Sequence, residues 1–215
     1  MSRKLLLIGG GGHCKDVIWL LKESTNPEFL GIIDGRLPVE SSVCGVPVLG
    51  DDSRLDSFAD IDVVIAIGSS RRRFQVWKSI RQKFPHFRFP SVIHPLVHLA
   101  PGVKIGEGTL ITAGSIIAND VVIGNQVVVN LHTVIGHDST VGDCVTLAPG
   151  TVIAGGVTIG DGFEFGPNTT VGSNLQLGCW SASGPGAGIM SSVPERTLML
   201  GNPARPIRSL EYPSR

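Results

Sequence analysis

The chain of 215 residues is poor in aromatic and charged side chains, which make up 6% and 17% of it. Its 18 basic and 18 acidic residues give a formal net charge of zero. This balance gives no sign of the electrostatic attraction that draws basic proteins to nucleic acid or anionic membranes. The short basic run at 71–73 is typical of a solvated helix face. We therefore expect neither nucleic acid nor a membrane surface as a partner.

Cysteine and long apolar runs are also scarce. The four cysteines are widely spaced and form no Cys-x-x-Cys pair: Cys14, Cys44, Cys144 and Cys179. This spacing favours reduced thiols in a cytoplasmic protein over a disulfide framework or a zinc site. No stretch approaches the roughly 18–20 apolar residues that span a bilayer. The short apolar run in MSRKLLLIGGGG leads into glycines and a charged helix, unlike a signal peptide, so we predict a cytoplasmic location.

The first part of the chain alternates between strand and helix patterns. Short apolar runs at 4–9, 29–34 and 62–68 predict buried strands, and helical spacing is present at 13–24 and 71–84. Strand–helix alternation with short links indicates a parallel sheet covered by helices. The predicted fold of residues 1–90 is therefore an α/β, Rossmann-like domain.

A six-residue period then runs through residues 93–189 without a slip. Sixteen of the seventeen period-six residues are large and apolar. They are Ile93, Leu99, Ile105, Ile111, Ile117, Ile123, Val129, Ile135, Val141, Leu147, Ile153, Ile159, Phe165, Val171, Leu177 and Ile189, with Ser183 as the exception. Each hexad predicts one short strand and a turn, and three hexads close a triangular coil. We expect the small residue after each period-six residue to let the chain turn the corner.

This repeat resembles the left-handed parallel β-helix of the hexapeptide-repeat acyltransferases. The resemblance covers roughly residues 90–207, including the closing GNPARPI at 201–207. It implies a homotrimer with acetyl-CoA in the groove between neighbouring helices. We predict that residues 91–215 form the β-helix acyltransferase domain with a C-terminal tail, and that residues 1–90 form a separate domain before it.

The glycine cluster IGGGGHCKDV at 8–17 follows the first predicted strand and opens a helix. Such a turn lets backbone amides approach a phosphate, although the cluster is not a clean G-x-G-x-x-G. With the β-helix, the chain resembles the two-domain sugar acetyltransferases that modify sialic acid, bacillosamine, viosamine or perosamine. That resemblance implies that residues 1–90 bind a nucleotide-linked sugar, and it assigns six residues to this substrate: Gly11, Gly12, His13, Asp34, Gly68 and Ser69. It also assigns Asn130 to the acceptor sugar.

VNLHTVIGHDSTVGD at 128–142 holds two histidines, and the six-residue frame separates them. His132 and His137 fall on different corners, so one metal ion cannot bind both within about 2.0–2.1 Å. We therefore predict no metal site and assign no role to His132. His137 is the better candidate for a general base, since histidine titrates nearest neutral pH. Either Asp138 or a carboxylate from a neighbouring subunit orients it. The family resemblance points to the same His–acid pair in GHD at 136–138.

Gly155 and Gly156 lie 18 residues, or one coil, after His137 and Asp138. The pair predicts room for the pantetheine arm beside His137, although turn geometry alone also explains glycine there. We further assign Thr146, Pro167 and Pro185 to acetyl-CoA; Pro185 lies in the stretch 176–194, where the repeat weakens. Cys144 has no histidine in its hexad, which disfavours a covalent mechanism.

The combined prediction is an acetyl-CoA-dependent N-acetyltransferase that acts on a nucleotide-linked, 4-amino-4,6-dideoxy-type sugar. His137 takes the amine proton, and backbone amides of the coil polarise the thioester carbonyl. The alternatives are an O-acetyltransferase of a sialic-acid-like sugar and a non-catalytic trimer that binds nucleotide sugars. Sequence does not distinguish UDP, dTDP and GDP as the nucleotide.

Overall fold

The computed structural model describes residues 4–211. Its first part runs β1 (Leu5–Ile8), α1 (Gly12–Ser24), β2 (Phe29–Ile33), β3 (Ser42–Val43), β4 (Val46–Gly50), a 3₁₀ helix (Asp52–Ser57), β5 (Asp62–Ile65) and α2 (Ser70–Lys83). The sheet order is β3-β4-β2-β1-β5, parallel except for the β3–β4 pair. The predicted strands and helices are present. Sequence reasoning missed β3, β4 and the 3₁₀ helix, because Pro47 and Gly45 interrupt the apolar pattern there.

The second part is a coil of two-residue strands, each followed by a turn. They are β6 (Val92–Ile93), β7 (His98–Leu99), β8 (Lys104–Ile105), β9 (Leu110–Ile111), β10 (Ile116–Ile117), β11 (Val122–Ile123), β12 (Val128–Val129), β13 (Val134–Ile135), β14 (Thr140–Val141), β15 (Thr146–Leu147), β16 (Val152–Ile153), β17 (Thr158–Ile159), β18 (Glu164–Phe165), β19 (Thr170–Val171), β20 (Gln176–Leu177), β21 (Ala182–Ser183) and β22 (Gly188–Ile189). A hairpin of β23 (Thr197–Leu200) and β24 (Arg205–Ser209) ends the described chain.

Every third strand pairs in parallel with the next, which makes three flat faces. Face 1 contains β6, β9, β12, β15, β18 and β21; face 2 contains β7, β10, β13, β16, β19 and β22; face 3 contains β8, β11, β14, β17 and β20. Partners are 18 residues apart, as in the pairing of Ile116 with Val134 and of Val134 with Val152. The predicted left-handed parallel β-helix is confirmed.

The period-six side chains fill the axis of the coil. From Ile111 to Ile189 nearly all of them are at most 4% exposed. Ser183, the polar exception, also points inward, and its hydroxyl lies 3.0 Å from Oγ1 of Thr169. Because this hydrogen bond satisfies both hydroxyl groups in the core, the coil continues through the weakened part of the repeat.

The corners turn at a different residue from the one that we expected. The left-handed conformation lies three positions after each period-six residue from Leu99 to Ser183, as at Asp120 (φ 58), His132 (φ 56) and Asp138 (φ 58). The small residue directly after the period-six residue has another purpose. A Cβ added to Gly106 would lie 2.6 Å from the carbonyl carbon of Gly124 in the next coil. Close stacking of successive coils, and not the turn, therefore demands the small side chain.

The α/β part packs on face 1 of the β-helix. The outward residues Val92, Leu110 and Val128 are at most 4% exposed because they pack with Cys14 and Val17 of α1. Face 1 is therefore covered by the same chain, whereas the corner between faces 2 and 3 lies on the opposite side of the triangle. Within residues 4–211 no helix is long and apolar enough to cross a bilayer.

Candidate active site

His137 and Asp138 lie on the corner between faces 2 and 3, and their side chains meet. Nδ1 of His137 is 2.7 Å from Oδ2 of Asp138, and the two side chains are 69% and 67% exposed. The left-handed conformation of Asp138 bends the chain so that the neighbouring side chains can approach. A carboxylate at Nδ1 makes that nitrogen the donor, which leaves Nε2 free to accept a proton.

The imidazole of His137 also covers Gly155 in the next coil. A Cβ added to Gly155 would lie 2.6 Å from Nε2 and 2.7 Å from Cε1 of the ring. The N–H of the adjacent Gly156 (φ 72) donates to the carbonyl of His137 at 2.8 Å. The space over Gly155 is therefore filled by the imidazole itself, and contacts of both glycines with acetyl-CoA stay predictions.

In the α/β part, Asp34 ends β2 with a side chain only 5% exposed. Its carboxylate accepts hydrogen bonds from Nε and Nη2 of Arg36 at 3.2 and 3.0 Å and from the N–H of Gly10 at 2.8 Å. The Arg36 side chain, together with the backbone N–H groups of Gly10 and Arg36, holds the pKa of Asp34 far below its usual range. Sequence reasoning missed Arg36, for which the only signal was its position two residues after Asp34.

The glycine cluster leaves the amino end of α1 uncovered. Gly11 precedes the first residue of the helix, Gly12, and a Cβ added to either would meet no atom within 4 Å. The first turn therefore presents open backbone amides, the arrangement that suits a phosphate group. His13 follows with a side chain 17% exposed, and its Nε2 is buried with no hydrogen-bond partner among the described residues. Burial, and then the charge of Arg73, lower the pKa of His13, so the ring is neutral near pH 7.

Gly68 and Ser69 form the turn between β5 and α2, and this turn lies against face 1. The Thr146 hydroxyl donates to the carbonyl of Gly68 at 3.1 Å. The N–H of Ser70 donates to Oε1 of Glu164 at 2.6 Å. Thr146 therefore lies at the junction of the two parts of the chain, on the opposite side of the coil from His137. Its assignment to acetyl-CoA stays a prediction.

Three further predicted residues lie at the corner between faces 1 and 2. Pro167 and Pro185 are exposed there, one coil apart. Asn130 is half-buried, and its Nδ2 donates to the carbonyl of Leu147 at 2.8 Å, so its amide is engaged in the coil. His132 lies exposed at the same corner, away from His137. No group of three or more metal-ligating side chains occurs in the part of the chain that the structure describes.

A known protein family matches the first part of the chain. Residues 4–80 match the family model described as the PglD N-terminal domain. A comparison with curated protein sequences gave no significant match.

Solved structures match nearly the whole chain. One is a histidine-to-asparagine mutant of perosamine N-acetyltransferase from Caulobacter crescentus, with 30% identity, coverage of 96% of this chain and 97% of the other, and a TM-score of 0.89. The acetyltransferase domain of PglB from Neisseria gonorrhoeae has 29% identity, 96% and 100% coverage, and a TM-score of 0.88. WeeI from Acinetobacter baumannii has 27% identity, 94% and 99% coverage, and a TM-score of 0.84. The chain therefore belongs to the two-domain hexapeptide-repeat sugar N-acetyltransferase family of PglD, PglB and perosamine N-acetyltransferase.

Proposed function

We propose that this protein transfers the acetyl group of acetyl-CoA to the amino group of a nucleotide-linked amino sugar. The observation that carries the proposal is the exposed His137–Asp138 pair, whose Nδ1–Oδ2 distance is 2.7 Å. The relatives support the same chemistry. Perosamine N-acetyltransferase was solved with CoA and GDP-perosamine, and the PglB acetyltransferase domain with acetyl coenzyme A.

The reaction requires a proton to leave the amine nitrogen, and we assign this step to His137. The amine nitrogen attacks the carbonyl carbon of the thioester, a C–N bond forms, and the C–S bond breaks. Nε2 of His137 takes the proton that the nitrogen must lose, and the leaving sulfur of CoA receives a proton to become the free thiol. The Asp138 carboxylate holds the imidazole in the required tautomer and stabilises the imidazolium that forms.

A homotrimer is the second part of the proposal, and the position of the two candidate half-sites supports it. The Gly68–Ser69 turn lies on face 1, whereas His137 lies on the opposite corner of the same coil. One chain therefore does not bring its own nucleotide-sugar residues to its own base. A neighbouring subunit that presents its His137 to this turn completes the site.

The outer surface of face 2 supports the same assembly. Ile116 and Val152 are 46% and 40% exposed and belong to one ladder with Val134. Such a stripe of exposed apolar side chains is typical of a surface that a partner covers. This face joins the corner of Pro167 and Pro185 to the corner of His137, so a groove between two chains would draw on both corners. That arrangement accommodates the acetyl-CoA contacts predicted at Gly155, Gly156, Pro167 and Pro185, whereas Thr146 lies on face 1.

The substrate class is tested with a panel of UDP-, dTDP- and GDP-linked 4-amino sugars and acetyl-CoA. We expect release of free CoA thiol with at least one member and a product that is heavier by one acetyl group on nitrogen. Hydrolysis of acetyl-CoA alone, or an acetyl ester as the product, contradicts the proposal.

Sharing of the site between subunits is tested by mixing two inactive variants, His137→Ala and Gly12→Asp, in one refolded or co-expressed preparation. Gly12→Asp places a negative charge where the amides of α1 are proposed to meet a phosphate. Mixed trimers contain some sites with an intact base from one chain and an intact nucleotide site from another, so activity should return in part. No recovery in mixed trimers contradicts a shared site.

A further inference from the structure

Arg73 is the inward member of the run Arg71–Arg73, and it is 1% exposed. Burial lowers the pKa of its guanidinium to about 10. Its hydrogen-bond partners are backbone carbonyls and one hydroxyl, and no carboxylate among the described residues forms an ion pair with it. A buried cation with no carboxylate in direct contact is costly even with the charge of Glu164 nearby, so its hydrogen bonds must be well placed for it to persist.

One side of the guanidinium binds the turn after β5. Nη1 donates to the carbonyls of Ile67 and Gly68 at 2.8 and 2.9 Å. These carbonyls lie beyond the carboxyl end of a parallel strand, the edge at which open α/β sheets bind their ligands. Gly68 also belongs to the proposed nucleotide-sugar site.

The other side of the same guanidinium binds the β-helix. Nε donates to the carbonyl of Gln126 at 2.7 Å. Nη2 donates to the carbonyl of Cys144 and to the hydroxyl of Thr146 at 2.9 and 2.8 Å. A planar group with donors on several edges can bridge two backbone segments in this way, whereas a single ammonium group cannot match both sets of directions.

Apolar contacts also hold α2 on the coil, as between the rings of Phe74 and Trp180, whose centroids are 5.1 Å apart. Arg73 adds directional bonds from a single group to both the turn and two successive coils. Its charge also reaches the glycine-rich turn, where it is the second cause, after burial, of the lowered pKa of His13. Arg73 therefore acts on both segments of the proposed nucleotide-sugar site: it binds the turn after β5, and its charge lowers the pKa of His13 in the glycine-rich turn.

We propose that Arg73 is a positioning residue that fixes the Gly68–Ser69 turn on the β-helix, so that a nucleotide-linked sugar is held at a defined place relative to acetyl-CoA. This inference rests on the proposed transferase function. Arg73 touches neither substrate, and it acts through the carbonyls of Ile67 and Gly68.

The test compares Arg73→Lys with Arg72→Lys, a matched change at the adjacent, exposed arginine of the same helix. Lysine keeps the charge and loses the bridging geometry. We expect KM for the nucleotide-linked sugar to rise about tenfold in Arg73→Lys, because misplacement by about 1 Å is costly. KM for acetyl-CoA should stay near the wild-type value, and Arg72→Lys should match wild type in both. An unchanged KM for the sugar, or equal increases in the two KM values, overturns the proposal.

Amide hydrogen exchange on the same proteins separates this inference from the proposed function. Exchange at residues 67–70 should accelerate in Arg73→Lys, while the inward strands of the coil keep their protection. If wild type shows no transferase turnover, the proposed function fails, and exchange alone decides the positioning role. Unchanged exchange at 67–70 overturns it.

Thr146→Val provides a second variant if Arg73→Lys does not fold. It removes the hydroxyl that accepts from Nη2 of Arg73 and donates to the carbonyl of Gly68, and it preserves the backbone and the volume of the side chain. We expect a smaller rise of KM for the sugar and faster exchange at 67–70. Wild-type values of both contradict the proposal.

Discussion

The imidazole of His137 lies over the α-carbon of Gly155, one full coil further along the chain. Asp138 holds the ring at Nδ1, at 2.7 Å, and the absence of a side chain at Gly155 leaves room for Nε2 and Cε1. Two different contacts therefore fix the orientation of the proposed base. One is a charge-assisted hydrogen bond within the turn, and the other is a close approach between successive coils.

Gly155→Ala should displace the imidazole, since its Cβ would lie 2.6 Å from Nε2. The backbone conformation of Gly155 is not left-handed, so we expect the fold to survive and the melting temperature to change little. We expect kcat to fall about tenfold or more because the proton acceptor moves. Gly172→Ala is the control, since its added Cβ would meet no atom closer than 3.6 Å. Equal kcat in wild type and Gly155→Ala contradicts the positioning.

Asp138→Asn should retain the left-handed turn, since asparagine tolerates this conformation, and should remove the negative charge at Nδ1. Without the carboxylate, the tautomer is no longer fixed and the imidazolium is less stabilised, so kcat should fall by roughly 10- to 100-fold. Asp120→Asn is the matched control, because Asp120 occupies the same left-handed position one coil earlier (φ 58). A normal rate in Asp138→Asn would leave a carboxylate of a neighbouring subunit as the orienting group.

The buried thiols should be inert in the native protein. Burial is the main cause that raises the pKa of Cys14 and of Cys144 to about 12, whereas Cys44 is exposed. Iodoacetamide at pH 8, followed by mass spectrometry, should modify Cys44 and spare Cys14 and Cys144 until the protein is unfolded. Cys144→Ala should retain activity. Acetylation of Cys144 by acetyl-CoA in the native protein would instead indicate a covalent mechanism.

Arg36→Met should make the α/β part more sensitive to acid. The pKa of Asp34 is lowered first by Arg36, so its stabilising contribution is complete above the ordinary aspartate value and disappears as pH falls through the lowered value. Without Arg36 the pKa of Asp34 rises, and the contribution should be lost at a higher pH. Circular dichroism between pH 5 and pH 1, roughly the range over which carboxylates protonate, should show an earlier transition in Arg36→Met than in Arg54→Met. Coincident transitions contradict this account.

Much of the fold could be predicted from sequence because the β-helix repeats one local rule. The period from Ile93 to Ile189 gives the inward column, the number of residues per coil and the stacking of His137 on Gly155. The left-handed position of Asp138 was not predicted, since glycine, asparagine, histidine and cysteine alternate at equivalent corners and leave no compositional signal.

Contacts between segments that are far apart along the chain could not be predicted from sequence, for a different reason. Arg73 resembles its two neighbours in a basic run, and only helix phase and docking decide which arginine is buried. Arg36 pairs with Asp34 through a turn that no periodic pattern specifies. The position of Thr146 beside Gly68, far from His137, depends on which face of the coil the α/β part covers. That choice follows from the apolar outward residues Leu110 and Val128, which the period-six count did not single out.

The most direct test of the account is the rate of CoA thiol release by His137→Ala, measured with acetyl-CoA and the accepted nucleotide-linked amino sugar. His132→Ala, the histidine on the neighbouring corner, is the control. We expect kcat to fall by about 100-fold or more in His137→Ala, within the usual contribution of a general base, and His132→Ala to keep the wild-type rate. Equal rates in wild type and His137→Ala would contradict the assignment of His137 as the base.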